Sequence, residues 1–573
     1  MTAAFQVTGT NASALFTLRL HRGESMVLLG MNWREGQPPN DFVGFAIEYM
    51  QPGGQRFYPL MNRLAFEAAN GAVNPNTLSS RLSPFQKFRW VHFPQNAELA
   101  GIFTYRVTPV FMDEHDVLSY GAFQEAAIEL GLYTYDGELN VAFTRGFVSS
   151  QAFVDRYETN GSTIDQLIPA NADEGLTFKP THPDAQKALA WMGFEARSAI
   201  LGLLDEAIAD ETATVKVVAY DLNVPDVVSR LQQLKGRLQI IIDNSGSHKP
   251  DTSAESQAEV LLKQSAGDDN VRREHMLDLQ HNKFIVVDGQ KCQAVVCGST
   301  NFSWRAFYVQ ANNAVVVRST AAVKAFQDAF NQYWTNYKKP STVLGSDING
   351  WTDLGIPPVS GRVTFSPHDS ETACLDKVAE WVQNNTKSSV LFSLAFLYQT
   401  PGAMLDAFEA LAKDDNIFVY GMSDKPVKGL DLVTTSGHME LSNPANLARN
   451  VPAPFKQELS EANGVRLHHK FIVTDFNTPS ARVFMGSYNF STSADLKNGE
   501  NLVVFEDQRV ATAYMVEALR LFDHYEFRVR EDKADKGDDK LLLAKPPRKT
   551  GEFPWWQKSW TEKLKARDRI LFS

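Results

Sequence analysis

Two stretches of the 573-residue chain carry the same reactive side chains in the same order. The first, HNKFIVVDGQKCQAVVCGSTNFS, runs from His281 to Ser303; the second, HHKFIVTDFNTPSARVFMGSYNFS, runs from His468 to Ser491. His281, Lys283 and Asp288 of the first match His468, Lys470 and Asp475 of the second. A Gly-Ser-x-Asn group follows in each: Gly298, Ser299 and Asn301, then Gly486, Ser487 and Asn489. The His-to-Asp spacing is identical. The Asp-to-Gly spacing differs by one residue, as hairpin loops of slightly different length would give.

This set suits attack on a phosphodiester. The negative charge of a diester repels a nucleophile, and Lys283 and Lys470 can offset it and stabilise the transition state. Asn301, Asn489 and the hydroxyls of Ser299 and Ser487 can donate hydrogen bonds to phosphoryl oxygens. Gly298 and Gly486 let the backbone turn closely beside them. One imidazole can attack phosphorus while the other protonates the leaving oxygen. No cofactor is needed. A catalytic metal is disfavoured, because each histidine has a lysine on its own face and the carboxylates are not spaced as ligands.

Each copy reads as strand, turn, strand and loop. Alternate side chains of a strand share a face, so His281 points with Lys283 and His468 with Lys470, while Asn282 and His469 point away. His275 and His469 have no counterpart in the other copy and read as structural. Around the motifs, ALAWMGFEARSAILGLLDEAIA and PDVVSRLQQL have helical spacing, and TVKVVAY and LQIIID read as strands. The same order returns in CLDKVAEWVQNN, SSVLFSLAFLY, AMLDAFEALAK and NIFVYG. Such alternation implies sheets with helices on their faces, here in two copies.

Residues 1–150 instead alternate apolar and polar positions in short runs broken by Gly, Asn, Asp and Pro, an all-β, sandwich-like pattern. The expected divisions are this domain, a linker at 151–179, α/β domains at 180–345 and 355–530, and a C-terminal tail at 531–573. The tail combines Trp555, Trp556 and Trp560 with Lys563, Lys565, Arg567 and Arg569. It is read either as a peripheral membrane contact or as a segment packed back on its own protein. The variable segments 244–280 and 421–467, which precede the motifs, are expected to line the mouth of a cleft.

The net charge of −11 lowers the expectation of a long nucleic-acid grip. Cys292, Cys297 and Cys374 give no disulfide framework and suggest a reducing compartment. There is no signal-peptide pattern and no run of ~18 apolar residues, so a cytoplasmic location is expected.

The paired motifs resemble those of the phospholipase D superfamily, whose His-x-Lys-x-x-x-x-Asp and Gly-Ser-x-Asn pattern usually occurs twice. The likeness implies an α/β fold of two duplicated phospholipase D-like α-β-α domains sharing one active site, here preceded by the all-β domain. It implies a metal-independent phosphodiesterase, most directly a phospholipase D that cleaves glycerophospholipid to phosphatidic acid and head group. By analogy His281 is the nucleophile, forming a phosphohistidine, and His468 is the general acid. The resemblance also implies that Asp288 and Asp475 brace the paired domains and that an acid beyond Gly-Ser-x-Asn orients a histidine. Glu500 takes that place in the second copy. The first copy has Asn312, which brings no charge, so what orients His281 is left open. One alternative is a nuclease of the same family acting on DNA or RNA. That needs a basic groove with stacking surfaces, which Arg272 and Arg273 alone do not supply. Another is an inactive phosphate-binding adaptor, which would require motif residues to be lost, and none is.

Overall fold

The computed structural model describes residues 4–67, 78–94, 99–146, 161–397, 402–423, 467–536 and 542–573, with short pieces at 153, 156–158 and 439–442. The expected cleft-wall segment 421–467 lies almost wholly outside these residues. The chain forms two compact units: Met1–Leu132 with Leu432–Glu440 and Thr512–Ser573, and Tyr133–Asp431 with Leu441–Ala511.

The first unit is β-rich. One antiparallel sheet orders Gln6–Thr8, Phe16–Gly23, Met26–Trp33 and Arg89–His92. A second is built on the long strand Gly101–Met112, paired with Phe42–Met50, Leu118–Tyr120 and Gln124–Leu130. Period-two burial explains the shared core: Phe16, Leu18 and Leu20 of one sheet pack with Phe45, Ile47 and Tyr105 of the other. The C-terminal tail completes it. Trp556 is buried in this cluster, and Trp555 and Trp560 pack against it. Trp555 Nε1 donates to the Phe42 carbonyl at 3.0 Å, and Arg89 pairs with Asp568 at 2.6 Å. Of the tryptophans considered for membrane contact, Trp556 is therefore a core residue, and Trp555 and Trp560 cover that core. An indole buries a large apolar area when a sheet face is available, and this use outranks surface display.

The second unit holds both motifs. Its first sheet orders Leu139–Phe143, Asn313–Val317, Gln293–Gly298, Phe284–Asp288, Thr214–Ala219, Leu238–Ile242 and Val271–Arg273. Its second orders Ser360–Ser366, Glu500–Glu506, Arg482–Gly486, Lys470–Thr474, Ser389–Leu394 and Phe418–Met422, with Thr352–Asp353 outside Ser360–Ser366. Position by position the orders correspond, including the parallel step between Thr214–Ala219 and Leu238–Ile242 and its counterpart between Ser389–Leu394 and Phe418–Met422. Helices such as Ala185–Ala209, Thr320–Asn336 and Leu375–Asn385 turn apolar stripes toward these sheets.

The boundary expected at 150 moves. Strand Leu139–Phe143 pairs antiparallel with Asn313–Val317, so the second unit begins before it. Nor is 151–179 a bare linker, because Phe153, Tyr157, Ile164 and Leu167 are buried in the core of the first motif's half. Apolar side chains at these positions gain more from burial than a solvated connection would offer. All three cysteines are free and buried. No described helix is long and apolar enough to cross a membrane.

Candidate active site

Each motif forms a hairpin and a capped loop. Phe284–Asp288 pairs with Gln293–Gly298, and Lys470–Thr474 with Arg482–Gly486. The hairpins end on Gly298 (φ 151°) and Gly486 (φ 142°). A Cβ at either would collide with the carbonyl oxygen of Asn313 or Asn501, so the close approach demands glycine. The last motif serine then caps a short helix: Ser303 Oγ accepts from Ala306 N, and Ser491 Oγ from Ala494 N.

Two parallel bridges join the halves, Gln280 with Gly499 and Ala311 with Leu467. Gly499 N donates to Leu279 O at 2.8 Å, and His468 N to Ala311 O at 3.1 Å. Each bridge places a motif histidine beside the residue that follows the other half's Gly-Ser-x-Asn loop. His281 Nδ1 lies 2.7 Å from Glu500 Oε2, and His468 Nδ1 lies 2.8 Å from Asn312 Oδ1. The orienting residues are thus crossed. Glu500 serves His281 and not the histidine of its own copy, and Asn312 serves His468. The amide of Asn312 is fixed, because its Nδ2 donates to Ala306 O at 3.0 Å and its Oδ1 faces the imidazole. Asn282 does not point to solvent. It is fully buried and accepts from Asn501 Nδ2 across the halves at 2.9 Å.

The lysines hold the histidines from behind. Lys283 Nζ donates to the His281 carbonyl. Lys470 Nζ lies 2.9 Å from the His468 carbonyl and 3.2 Å from its Nε2. Tyr220 sets its ring against His281 and Lys283, and Phe396 sets its ring against His468 and Lys470.

Burial works against every charge here. Desolvation, then Lys283 and Lys470, hold His281 well below the ordinary histidine range; desolvation, then Lys470 and Lys283, do the same to His468. Burial lowers Lys283 to about 8 and puts Lys470 well below its usual value. Burial pushes Glu500 up to about 8. An anion between the lysines would favour their charged forms, since opposite charge nearby stabilises an ion.

Other expected roles change. Ser299 Oγ donates to Asn312 Oδ1 and accepts from Asn313 N, both at 3.0 Å. Ser487 Oγ accepts from Asn501 N at 3.0 Å and hydrogen-bonds Glu500. A hydroxyl has one proton. Both serines have committed it to the residues that orient the histidines, so neither is free to donate to a phosphoryl oxygen. An asparagine amide carries two protons: Asn301 Nδ2 gives one to Asp221 Oδ2 at 2.6 Å, which leaves a second for a phosphoryl oxygen. Asp288 and Asp475 do not brace the halves against each other. Asp288 accepts from Gln293 and Gln327, and Asp475 from the backbone of Lys387, Ser388 and Ser389, all within their own halves. Their short reach from a strand end explains this.

Sequence reasoning missed Tyr220, Asp221, Asp243 and His248, which stand beside His281. The available signal was their place just after two parallel strands, where open α/β sheets hold ligands. Asp221, His248 and Glu255 form one of two groups of metal-ligand type among the described residues. The other is His368, Cys374 and Asp495, and neither contains a motif histidine.

Comparison with known proteins agrees with this geometry. A family model described as "Cardiolipin synthase, PLD-like domain" matches residues 204–334 and 383–522, one match around each motif. A mitochondrial cardiolipin hydrolase of Xenopus laevis is 33% identical over 101 residues, 18% of this chain and 43% of that protein. A phospholipase D of Rickettsia conorii is 40% identical over 48 residues, 8% of this chain and 22% of that one. The chain thus spans less than half the length of these curated relatives. Among solved structures, polyphosphate kinase from Porphyromonas gingivalis aligns over 94% of this chain and 80% of its own, at 10% identity and a TM-score of 0.39.

Proposed function

We propose that this chain, which belongs to the phospholipase D superfamily, is a metal-independent phospholipase D that hydrolyses a glycerophospholipid to phosphatidic acid and a free head group. The matching strand orders support reading the second unit as two duplicated phospholipase D-like α-β-α domains with one shared site. The first unit then reads as a sandwich-like accessory domain. The choice of a lipid rests on the names of the matched family and relatives, which concern cardiolipin and phospholipase D. It is also favoured by Arg272 and Arg273, which are engaged internally. Arg272 lies 3.9 Å over the Trp334 ring, and Arg273 donates to Ser256 Oγ at 2.9 Å, so they do not form a nucleic-acid track.

The observation that carries the mechanism is the crossed pair of acceptors. A carboxylate at Nδ1 raises the basicity of His281 and keeps its proton there, leaving the Nε2 lone pair free for phosphorus. The neutral amide at His468 fixes the ring without that gain, which suits a proton donor. The negative charge of a bound diester would favour the imidazolium form of His468, with a proton on Nε2; His281 Nε2 then forms a bond to phosphorus as the bond to the leaving oxygen breaks, and His468 Nε2 gives that oxygen its proton. His468 then takes a proton from water, the resulting hydroxide attacks phosphorus, and the P–N bond breaks to restore neutral His281. Lys283 and Lys470 offset charge on the non-bridging oxygens throughout, with Asn301 and Asn489 as hydrogen-bond donors.

The test is a substrate panel in EDTA: vesicles of several phospholipids, single- and double-stranded DNA, and a chromogenic phosphodiester. Metal-free cleavage of the chromogenic ester, lipid turnover without DNA cleavage, and a phosphoenzyme absent from His281→Ala are expected. DNA cleavage without lipid turnover would assign the chain to the nucleases. An adduct on His468 would reverse the two histidine roles.

A further inference from the structure

Strands Thr214–Ala219 and Leu238–Ile242 run parallel, and the chain leaves them through Tyr220–Asp221 and Asp243. His248 lies between the two acids, with Nδ1 2.8 Å from Asp243 Oδ2 and Nε2 3.2 Å from Asp221 Oδ1. The remaining oxygens reach the motif. Asp243 Oδ1 accepts from Gln280 N at 2.8 Å, one residue before His281. Asp221 Oδ2 accepts from Asn301 Nδ2 at 2.6 Å and from Ser303 Oγ at 3.3 Å. One chain of hydrogen bonds therefore links the start of the first motif to its Gly-Ser-x-Asn loop.

Burial alone would discharge His248, but the acids on both ring nitrogens outweigh it and lift its pKa to about 10. Both ring nitrogens face a carboxylate, an arrangement that favours the imidazolium. This matters because an uncompensated carboxylate beside a phosphate site would repel the substrate. Asn301 is 4% exposed, and its Oδ1 has no hydrogen-bond partner, so its amide is held only through Asp221. The second half is built differently. Its corresponding strands, Ser389–Leu394 and Phe418–Met422, lead into Ala395–Phe396 and Ser423, so Phe396 and Ser423 stand at the positions of Asp221 and Asp243.

We propose that Asp221 is the positioning residue for Asn301, holding one amide proton so that the other is presented to a phosphoryl oxygen, with His248 as the counter-charge that permits a carboxylate in that place. The proposal rests on the reading of this centre as a diester-cleaving site. Asp221 itself touches no reacting atom. Its work is to fix an amide that would otherwise rotate, and a preset donor stabilises a transition state more than a mobile one.

The test is a double-mutant cycle on the chromogenic phosphodiester in the full-length chain, with the melting temperature of each variant recorded. Asp221→Ala and Asn301→Ala should each lower kcat/KM by about 10–100-fold, mainly through kcat. The double variant should be no more than about twofold worse than Asn301→Ala, because the two act as one unit. Asp221→Asn keeps one acceptor and should fall between wild type and Asp221→Ala. His248→Gln should raise KM, and adding Asp221→Asn should recover part of that loss by removing the exposed charge. Losses from Asp221→Ala and Asn301→Ala that multiply would overturn the proposal. So would an absence of recovery in Asp221→Asn/His248→Gln. If Asp221→Ala does not fold, Asp221→Asn combined with Asn301→Ala closes the same cycle, and multiplying losses there overturn the proposal equally. A wild-type chain that cleaves no diester would defeat the functional reading. Cleavage with independent Asp221 and Asn301 effects would defeat only the role given to Asp221.

Discussion

The two halves of the candidate active site share strand order, hairpins, glycines and serine caps, yet give their histidines different partners. His281 meets a carboxylate and His468 an amide, each supplied by the opposite half. Near His281 stand Tyr220 and the Asp221–His248 pair; near His468 stands Phe396. On the proposed mechanism, a nearly symmetric scaffold divides two chemical roles by changing one acceptor.

The widest separation of the halves should come from the histidines themselves. His281→Ala is expected to lower kcat by about 10⁴-fold or more and to abolish the covalent adduct. His468→Ala should be as damaging with a poor leaving group. With a nitrophenyl ester, which needs no proton to depart, it should instead show a burst and an accumulated adduct. Quenched-flow kinetics and mass spectrometry of the trapped protein read both outcomes. An adduct in His281→Ala and none in His468→Ala would invert the comparison.

The acceptors come next. Glu500→Gln should reduce kcat by about 10²–10⁴-fold, because a neutral amide no longer fixes the productive tautomer of His281. Asn312→Ala should cost less, about tenfold, since His468 loses orientation but no charge partner. Asn312→Asp makes the halves alike. It should raise the pKa of His468, read from the titration of that imidazole by NMR. Equal losses from Glu500→Gln and Asn312→Ala would mean that the charge difference has no catalytic meaning.

The pH profile follows from the same pair. Glu500, raised to about 8 by burial, keeps its proton below that pH and then cannot draw Nδ1–H from His281. The rate should rise as pH approaches about 8 and that carboxyl ionises. Lys283, lowered to about 8 by burial in the free protein, loses its charge above that pH, so KM should rise there. A bell in kcat/KM centred near about 8 is expected, with the acid limb weakened in Glu500→Gln. A profile unchanged by that substitution would separate the acid limb from Glu500.

Much of this site was legible from residue type and spacing. His281, Lys283, His468 and Lys470 could be paired because a strand puts every second side chain on one face, and the β/α alternation around them predicted the sheets. The crossing of Glu500 and Asn312 was not legible, since it depends on bridges between residues far apart in sequence, and no local pattern encodes them. The serines misled because a hydroxyl suited to phosphate is equally suited to a neighbouring amide or carboxylate, and its single proton can serve only one. The tail allowed two readings, of which packing back on its own protein is the one found. Aromatic and basic residues mixed along a helix look the same whether the indoles meet lipid or the core formed by Phe16 and Phe45. Asp221 and His248 carried no motif at all, only a position at the ends of strands.

The smallest expected effect concerns stability. The motif aspartates occupy equivalent places but are held differently. Asp475 is 1% exposed, sits at φ 51°, and its carboxylate accepts from three consecutive backbone N–H groups at 2.7–3.1 Å. Asp288 is half-buried and meets two glutamine amides, each at 3.0 Å. Asp475→Asn preserves the left-handed backbone, which asparagine tolerates, but sets an amide group against donors that need an acceptor. It should cost about 2–3 kcal/mol, whereas Asp288→Asn should cost less than about 1 kcal/mol because water can replace what is lost. Urea midpoints of the two variants decide the matter. Equal costs would show that the two motif aspartates do one common job after all, and the difference between the halves would then be confined to the residues facing the histidines.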